Sequence, residues 1–216
     1  MVTIKVRWTR VDPVRRTQQE RREATIAKLF DAAIATLDEL GYARASASTI
    51  TARAGMSYGA LFRHFPTMSE FMAAVARETV RRNIEMITDL ARARGSTGVE
   101  TLLTVAHEVV THPFHNAINE LTVAARTDER LRDAMRHTMA DVGPAMIDTA
   151  AHIVGPELDL DAKEFATLVF ILADLFDNEA LQHPLRAPHP EIYERRIPLL
   201  LRMLKSLSPQ ADTTDR

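Results

Sequence analysis

Four titratable side chains in the middle of the sequence are the first candidates for a metal site: His107, Glu108, His112 and His115. A zinc-protease helix places two histidines four residues apart, on one face. His107 and His112 are five residues apart, a spacing that rotates them by about 140° on a helix with ~3.6 residues per turn. The chain also lacks Glu-x-x-His, the motif of di-iron bundles. We therefore expect no metal, and interpret these histidines as residues at helix ends and pocket edges.

Other residue types that carry catalysis are absent or lack their motifs. The 216 residues include no cysteine, which removes disulfides, thiolate nucleophiles and cysteine-ligated zinc together. There is no glycine-rich phosphate loop and no Gly-x-Ser-x-Gly turn. We predict that the protein is not an enzyme and holds no cofactor.

The stretch SASTITARAGMSYGALFRHF, from Ser46 to Phe65, has the pattern of two short helices joined by a sharp turn. Ser46 and Ser57 are good N-cap residues, and Gly55 between them can adopt the left-handed conformation that ends a helix. Leu61 and Phe65 share one face of the second helix. This layout predicts a helix-turn-helix, whose second helix enters the DNA major groove. Alone, it also fits a helical hairpin inside an ordinary all-α domain.

Charge divides the chain at the end of this stretch. Residues 1–65 carry eleven basic and six acidic side chains, a net charge of +5, whereas the remainder carries −7. A basic module on an acidic body suits phosphate contacts by the module alone, although charges can also cluster by chance. Residues 1–16 lack a helical period, and we interpret them as a basic arm that follows a groove or is disordered without DNA.

Capping boxes mark the helices on either side of the predicted helix-turn-helix. Thr17 and Glu20 begin a long helix that Gly41 ends, and Thr67 and Glu70 begin another that runs to about Arg92. Because this second helix starts directly after the recognition helix, its tilt should move the recognition helix. It is therefore the predicted lever between the two parts of the chain.

The remaining sequence predicts further helices. A third capping box, from Thr97 to Glu100, begins a helix that ends before Pro113, and a second helix covers residues 114–126. Residues from Asp128 to 153 should form one longer helix, kinked at Pro144.

Near the C-terminus, Asp161 and Glu164 cap the segment FATLVFILADLF, which is apolar around almost its whole circumference. Such a helix must be buried on both sides, most simply against a partner subunit. A last helix is expected from about Pro190 to Leu207.

No apolar run approaches the ~20 residues of a membrane span, and the N-terminus lacks the apolar core of a signal peptide, so we expect a cytoplasmic protein without membrane contact.

Residues in and around the predicted helix-turn-helix form a further pattern: Gly41-Tyr42, Ser46, Ile50, Ala54-Gly55-Met56-Ser57, Gly59, Leu61-Phe62, His64-Phe65, Thr67 and Glu70. In this pattern the chain resembles the TetR family of transcriptional regulators. The resemblance implies an all-α fold, with a three-helix helix-turn-helix domain at residues 1–66 and a larger helical ligand-binding and dimerisation domain at residues 67–216. It also implies a homodimer that reads a near-palindromic operator in double-stranded DNA.

Carried over onto this sequence, the resemblance implies base and phosphate contacts at nine positions: Ala47, Ser48, Tyr58, Gly59, Ala60, Phe62, Arg63, His64 and Thr67. Phe62, Met68 and Thr51 depart from the residues usual in the family, which are tyrosine, lysine and alanine. The first two departures remove a phenolic hydrogen bond and a cation, for which the arginines at 15, 16, 21 and 22 could compensate. We expect sequence reading to depend on Tyr58 and Arg63.

A small, mostly apolar effector is the predicted ligand of the body. Aromatic and methionine side chains with a few polar groups suit such a molecule. The candidate residues are His107, Phe114, Met139, Phe170 and Asp174. Asp174 is the most informative, because a carboxylate on a buried apolar helix needs an arginine, a water or a cationic ligand as its partner.

The resulting hypothesis is a repressor that its effector releases from the operator. Ligand binding would favour a dimer whose recognition helices no longer match successive major grooves, which lie about 34 Å apart. The alternative is a helical adaptor that a protein partner regulates. Titration with ligands and pull-down of proteins would separate the two.

Overall fold

The computed structural model describes residues 17–110, 112–182 and 190–207. Within these ranges the chain forms α-helices, two short 3₁₀ segments and no strand. The helices are α1 Gln18–Leu40, α2 Ala47–Arg53, α3 Tyr58–His64, α4 Met68–Arg94, α5 Val99–Val109, α6 Pro113–Ala125, α7 Glu129–Thr138, α8 Val142–Val154, α9 Ala162–Gln182, α10 Pro190–Tyr193 and α11 Arg196–Lys205. The predicted all-α class is confirmed, whereas the predicted basic arm at residues 1–16 lies outside the described residues.

Both capping boxes of the N-terminal region form as predicted. The Glu20 amide donates to the Thr17 hydroxyl at 3.2 Å, and the Thr17 amide donates to the Glu20 carboxylate at 2.7 Å. The same reciprocal pair joins Thr67 and Glu70, at 3.2 and 3.1 Å. These pairs satisfy amides that have no acceptor within their own helix, and they fix where α1 and α4 begin.

The helix-turn-helix forms between these two long helices. Ser46 caps α2, accepting from the Thr49 amide at 3.1 Å, and Gly55 turns the chain with a φ of +66°. Ser57 precedes α3, but its side chain makes no capping hydrogen bond, so the predicted second cap is wrong in that respect. The turn therefore depends on the glycine and on packing.

The core of the helix-turn-helix continues into the body. Leu29 of α1, Ile50 of α2, Leu61 of α3 and Phe71 of α4 are each fully buried, at 0% exposure. They belong to one hydrophobic cluster that also includes Leu121 of α6 and residues of α7. The two predicted domains thus share a continuous apolar core, and a boundary after residue 66 stays a prediction.

Helices α5, α7 and α8 differ from the predicted ones. No capping box forms at Thr97: α5 begins at Val99, whose amide donates to the Glu157 carboxylate at 2.6 Å. The helix that Asp128 begins is also not continuous, because α7 ends at Thr138 and α8 begins only at Val142. Pro144 lies in the first turn of α8, where its missing amide hydrogen costs no hydrogen bond. The predicted kink at Pro144 is therefore wrong.

Helix α9 begins with the predicted cap, since the Glu164 amide donates to Asp161 and the Asp161 amide to Glu164, both at 2.9 Å. In the single chain only one side of α9 is covered: Phe176 is buried, whereas Ile171 is 58% exposed. The predicted last helix is wrong as one unit, because a turn separates α10 from α11. No helix in the described ranges combines the length and apolarity needed to cross a membrane.

Candidate nucleic-acid interface and effector cavity

Helix α3 presents one side to the core and the other to solvent. Leu61 is fully buried, while Tyr58 is 60% exposed and Gly59 and Arg63 are also exposed. The helix thus displays its N-terminal residues, as a recognition helix must in order to reach base edges. The absence of a side chain at Gly59 allows the backbone of this turn to approach another surface closely.

The nine predicted DNA contacts come from three neighbouring segments. Ala47 and Ser48 form the first turn of α2, Thr67 caps α4, and the other six lie on α3. The exposed members of the set are Ser48, Tyr58, Gly59, Arg63 and Thr67, and the partly buried members are Ala47, Ala60, Phe62 and His64. The helix-turn-helix brings the set together, while contact with DNA stays a prediction.

Two departures from the family pattern have a structural role here. The Phe62 ring lies 4.7 Å from the Tyr58 ring, measured between centroids, and so packs against the tyrosine. The Thr51 hydroxyl is buried and donates to the Ala47 carbonyl at 2.8 Å, so the extra polar group has a partner. Neither residue therefore perturbs the helix-turn-helix.

Arg53 and Arg63 differ in whether their guanidinium groups form an ion pair with the protein. Arg53 of α2 forms a two-pronged ion pair with Glu39 of α1, in which one of the bonds is 2.9 Å long. Arg63 is exposed and makes no ion pair within the described part of the chain. Arg53 therefore joins α2 to α1, and Arg63 is the guanidinium that α3 offers to a ligand.

His64, at the end of α3, is predicted to make DNA binding depend on pH. Burial lowers the pKa of this imidazole, and the positive charges of Arg22 and Arg63 lower it further. Nearby phosphates would favour the charged form and raise the pKa in the complex. A base whose pKa is higher in the complex takes up a proton on binding, so affinity for DNA should rise as pH falls through the range just below 6.5. Titrating DNA at pH 6.0 and 7.5 measures this, and His64→Gln should remove the difference.

A cavity of about 660 Å³ lies in the body among α4, α5, α6, α8 and α9, together with the α7–α8 connection. Its volume is in the range of small-molecule sites. Three of the five predicted ligand residues, Met139, Phe170 and Asp174, line it, whereas Phe114 and His107 lie outside its wall. Phe114 instead lies beneath the Arg82 guanidinium, 5.3 Å from ring centroid to the guanidinium carbon. His107 lies 3.2 Å from the Glu179 carboxylate.

The cavity wall contains polar residues that were not among the five predicted ligand contacts. Asn83 of α4 and His115 of α6 are buried in it, and Asp177 of α9 lies three residues beyond Asp174 on the same helix face. Asp174 itself is exposed, so the expectation of a buried carboxylate is wrong. The spacing of Asp174 and Asp177 was the sequence signal available for this part of the site.

Helix α6 connects the cavity to the helix-turn-helix. His115 and Ile118 of α6 line the cavity. On another face, Glu120 accepts from the Tyr42 amide at 2.8 Å, and the Asn116 amide group donates to Asp38 at 2.8 Å. The predicted lever, α4, is thus accompanied by a second connection through α6.

The histidines considered for a metal are dispersed. Across residues 17–110, 112–182 and 190–207, no three histidine or carboxylate side chains converge in a way that could hold a metal ion. His115 lies in the cavity wall, whereas His107 lies beside Glu179. His112 caps α6, accepting from the Phe114 amide at 3.4 Å.

Comparison with known proteins identifies relatives that match 60% to 88% of the chain. The sequence model described as "Bacterial regulatory proteins, tetR family" matches residues 29–75. An uncharacterised HTH-type transcriptional regulator of Mycobacterium tuberculosis is 40% identical over 191 residues, which are 88% of this chain and 97% of that protein. The HTH-type transcriptional regulator CymR of Pseudomonas putida is 34% identical over 135 residues, covering 60% of this chain and 64% of CymR.

Solved structures agree with this result at the level of the fold. A transcriptional regulator from Rhodococcus sp. Rha1 superposes with a TM-score of 0.63 at 20% identity, covering 85% of this chain and 97% of that one. The multidrug binding protein EbrR, solved in complex with imidazole, gives 0.59 at 23% identity, covering 88% and 98%. Together with the 40% identity to a regulator over nearly its full length, the helix-turn-helix shows that the chain belongs to the TetR family of DNA-binding transcriptional regulators.

Proposed function

We propose that this regulator is a repressor that binds a near-palindromic operator as a homodimer and is released by a small, mostly apolar effector. The observation that carries the proposal is the course of α4. This helix begins directly after the recognition helix, and about 22 Å further along its axis it supplies Asn83, Ile84 and Ile87 to the cavity wall. One rigid element therefore touches both sites.

Helix α6 supplies a second link between ligand and DNA. The Tyr42 amide bonded to Glu120 lies at the junction of α1 and α2, where Gly41 has a φ of +74°. A Cβ atom at Gly41 would lie 3.1 Å from the Glu120 carboxylate, so the two segments are closely apposed. A ligand that displaces α6 would thus pull on the helix-turn-helix as well as tilting α4. The expected coupling free energy between the effector site and the DNA site is about 1–3 kcal/mol, the usual range for allosteric proteins.

An apolar surface on α9 and α11 supports the homodimer. Its exposed members include Ile171 on α9 and Leu199 and Met203 on α11, at 58%, 47% and 59% exposure. Helices α9 and α11 share one hydrophobic cluster, to which Leu172 and Leu204 belong. Large apolar side chains left exposed on such adjacent helices favour a protein interface. A two-fold dimer that buries this surface would also present two recognition helices to two half-sites.

Placing a charge in this surface should abolish dimerisation. We expect Ile171→Glu to sediment as a monomer at concentrations at which the wild-type protein is a dimer, because an unpaired carboxylate is costly to bury. Ala93→Glu is the control, since Ala93 is exposed near the end of α4 and lies on neither of these two helices. Analytical ultracentrifugation measures the result. A dimeric Ile171→Glu variant would place the interface elsewhere.

Repression itself is tested with a transcriptional reporter. The promoter beside the protein's own coding region is fused to a reporter and assayed with and without the protein. We expect lower output with the wild-type chain and restored output with Arg63→Ala. Output that is unchanged or raised by the wild-type chain would contradict repression at that promoter. No feature of the described residues favours the adaptor alternative, and the relatives are named as HTH-type transcriptional regulators.

A further inference from the structure

The walls of the effector cavity are mostly apolar but not uniformly so. Aliphatic and aromatic side chains from α4, α5, α8 and α9 form most of the lining, among them Ile84, Val109, Met146 and Phe176. Such walls favour an apolar molecular body. The few polar groups then decide which functional group that body carries.

The charged side chains of the wall are of one sign. Asp174 and Asp177 lie one turn apart on α9, and neither lysine nor arginine occurs among the described residues of the lining. Arg81 and Arg82 lie on α4 near Asn83, but they do not line the cavity, and both are ion-paired with Glu78. An anionic ligand would therefore meet two carboxylates and no cation, whereas a cationic ligand would meet a complementary charge.

Two buried polar side chains in the same wall point to a ligand that forms hydrogen bonds. Asn83 is only 9% exposed, and its Oδ1 accepts no hydrogen bond from any described residue. A half-turn about χ2 would present either end of this amide to the cavity. His115 is 7% exposed, and its Nε2 lies 3.1 Å from Asp177, within ion-pair distance but without hydrogen-bonding geometry. Buried polar groups of this kind normally have a partner.

We propose that the effector is a lipophilic organic cation: an apolar body in the cavity with an ammonium group seated against Asp174 and Asp177. The inference deepens the proposed function, since it names the chemical class of the same effector. Asp174 and Asp177 are exposed at the open side of the cavity, where water screens them. The apolar body of the ligand would exclude part of that water and strengthen the attraction. Asn83 supplies a further polar contact at the α4 wall.

The test compares three probes of one shape that differ only in their polar end: 4-phenylbutylamine, 4-phenylbutan-1-ol and 4-phenylbutyrate. Binding to the full-length protein is measured by calorimetry at pH 7.5 without DNA. The amine should bind about 5- to 10-fold more tightly than the alcohol, as expected for one partly exposed charge-assisted hydrogen bond. The carboxylate should bind most weakly. The Asp174→Asn/Asp177→Asn double variant should bind amine and alcohol equally.

Asp148→Asn is the matched control, because Asp148 is an exposed carboxylate on α8 outside the cavity wall. It should leave the preference for the amine unchanged. Equal binding of amine and alcohol to the wild-type protein, preference for the carboxylate, or no binding of any probe would overturn the proposal. So would an amine preference that survives in the double variant. Operator binding is assayed separately, so failure of the ligand class and failure of the repressor function give different results.

Discussion

Replacing Arg63 with alanine should weaken operator binding by about 1–3 kcal/mol per subunit, the usual value of a well-placed contact between arginine and a base. A symmetric dimer carries this residue twice, so the complex should lose about 2–6 kcal/mol. The physical reason is that Arg63 is exposed on α3 and has no ion-pair partner within the described chain. Its guanidinium is free to bind guanine or phosphate. Fluorescence anisotropy with labelled operator measures the loss.

The control for this variant is Arg92→Ala. Arg92 is also exposed, in the last turn of α4 at the opposite end of that helix from α3, and it pairs with Asp89. It should leave operator affinity within about twofold of wild type, since exposed ion pairs contribute little. An Arg63→Ala variant that binds the operator as tightly as Arg92→Ala would show that α3 does not read DNA through this side chain.

Salt dependence separates the two possible roles of Arg63. Each phosphate contact that is lost should lower the slope of log affinity against log salt by about 0.9 in magnitude. A base contact that is lost should leave the slope unchanged and relax the preference at one position of each half-site. Repeating the Arg63→Ala titration at several salt concentrations, with operator variants, therefore assigns the contact.

Replacing Phe71 with alanine should lower the free energy of unfolding by about 3–5 kcal/mol, the cost of removing a buried aromatic ring from a core. Phe71 of α4 has 0% exposure, and its ring packs against Phe65 and Phe30 at centroid distances of 5.0 and 6.2 Å. The cavity left behind would lie where α1, α3 and α4 meet. Operator binding should be lost together with folding of the helix-turn-helix.

Chemical denaturation followed by circular dichroism measures this loss. Val123→Ala is the control, since Val123 is 47% exposed on α6 and its truncation should cost no more than about 0.5 kcal/mol. Phe71→Leu keeps most of the apolar volume and should be intermediate. If Phe71→Ala unfolded at the same denaturant concentration as Val123→Ala, the aromatic cluster would not be a main source of stability.

The parts of the fold that the sequence predicted well are those specified by short-range patterns. The boxes at Thr17 and Thr67 fix helix starts because the cap and its partner are three residues apart. Gly41 and Gly55 mark turns because both have positive φ. Such features need no knowledge of distant segments.

The failures involve contacts between distant segments. The Val99 amide is capped by Glu157, 58 residues away, and not by the box that Thr97 suggested. The helical spacing of apolar residues continues from α7 into α8, yet the helix is interrupted between them. This interruption lets α8 pack against α4, α5 and α9. Periodicity alone cannot indicate where a helix must stop in order to pack.

The cavity shows the same limit. Its wall combines residues of α4, α6 and α9 that are tens of residues apart in the sequence. Polar residues such as Asn83 and His115 can be recognised as part of one site only when the packing of these helices is known. Phe114 is aromatic and lies on α6, one of the helices that surround the cavity, but packing turns its ring towards Arg82. Residue type alone could not distinguish Phe114 from Phe170.

The most direct test of the account is selection of DNA by the purified protein from a library of randomised duplexes, followed by sequencing. The account predicts that recovered sequences share two half-sites in inverted orientation, whose centres are about 34 Å apart along the helix axis. Arg63→Ala should fail to enrich them. A wild-type selection that returns no shared motif, or only a single unpaired half-site, would contradict sequence-specific binding by a symmetric dimer.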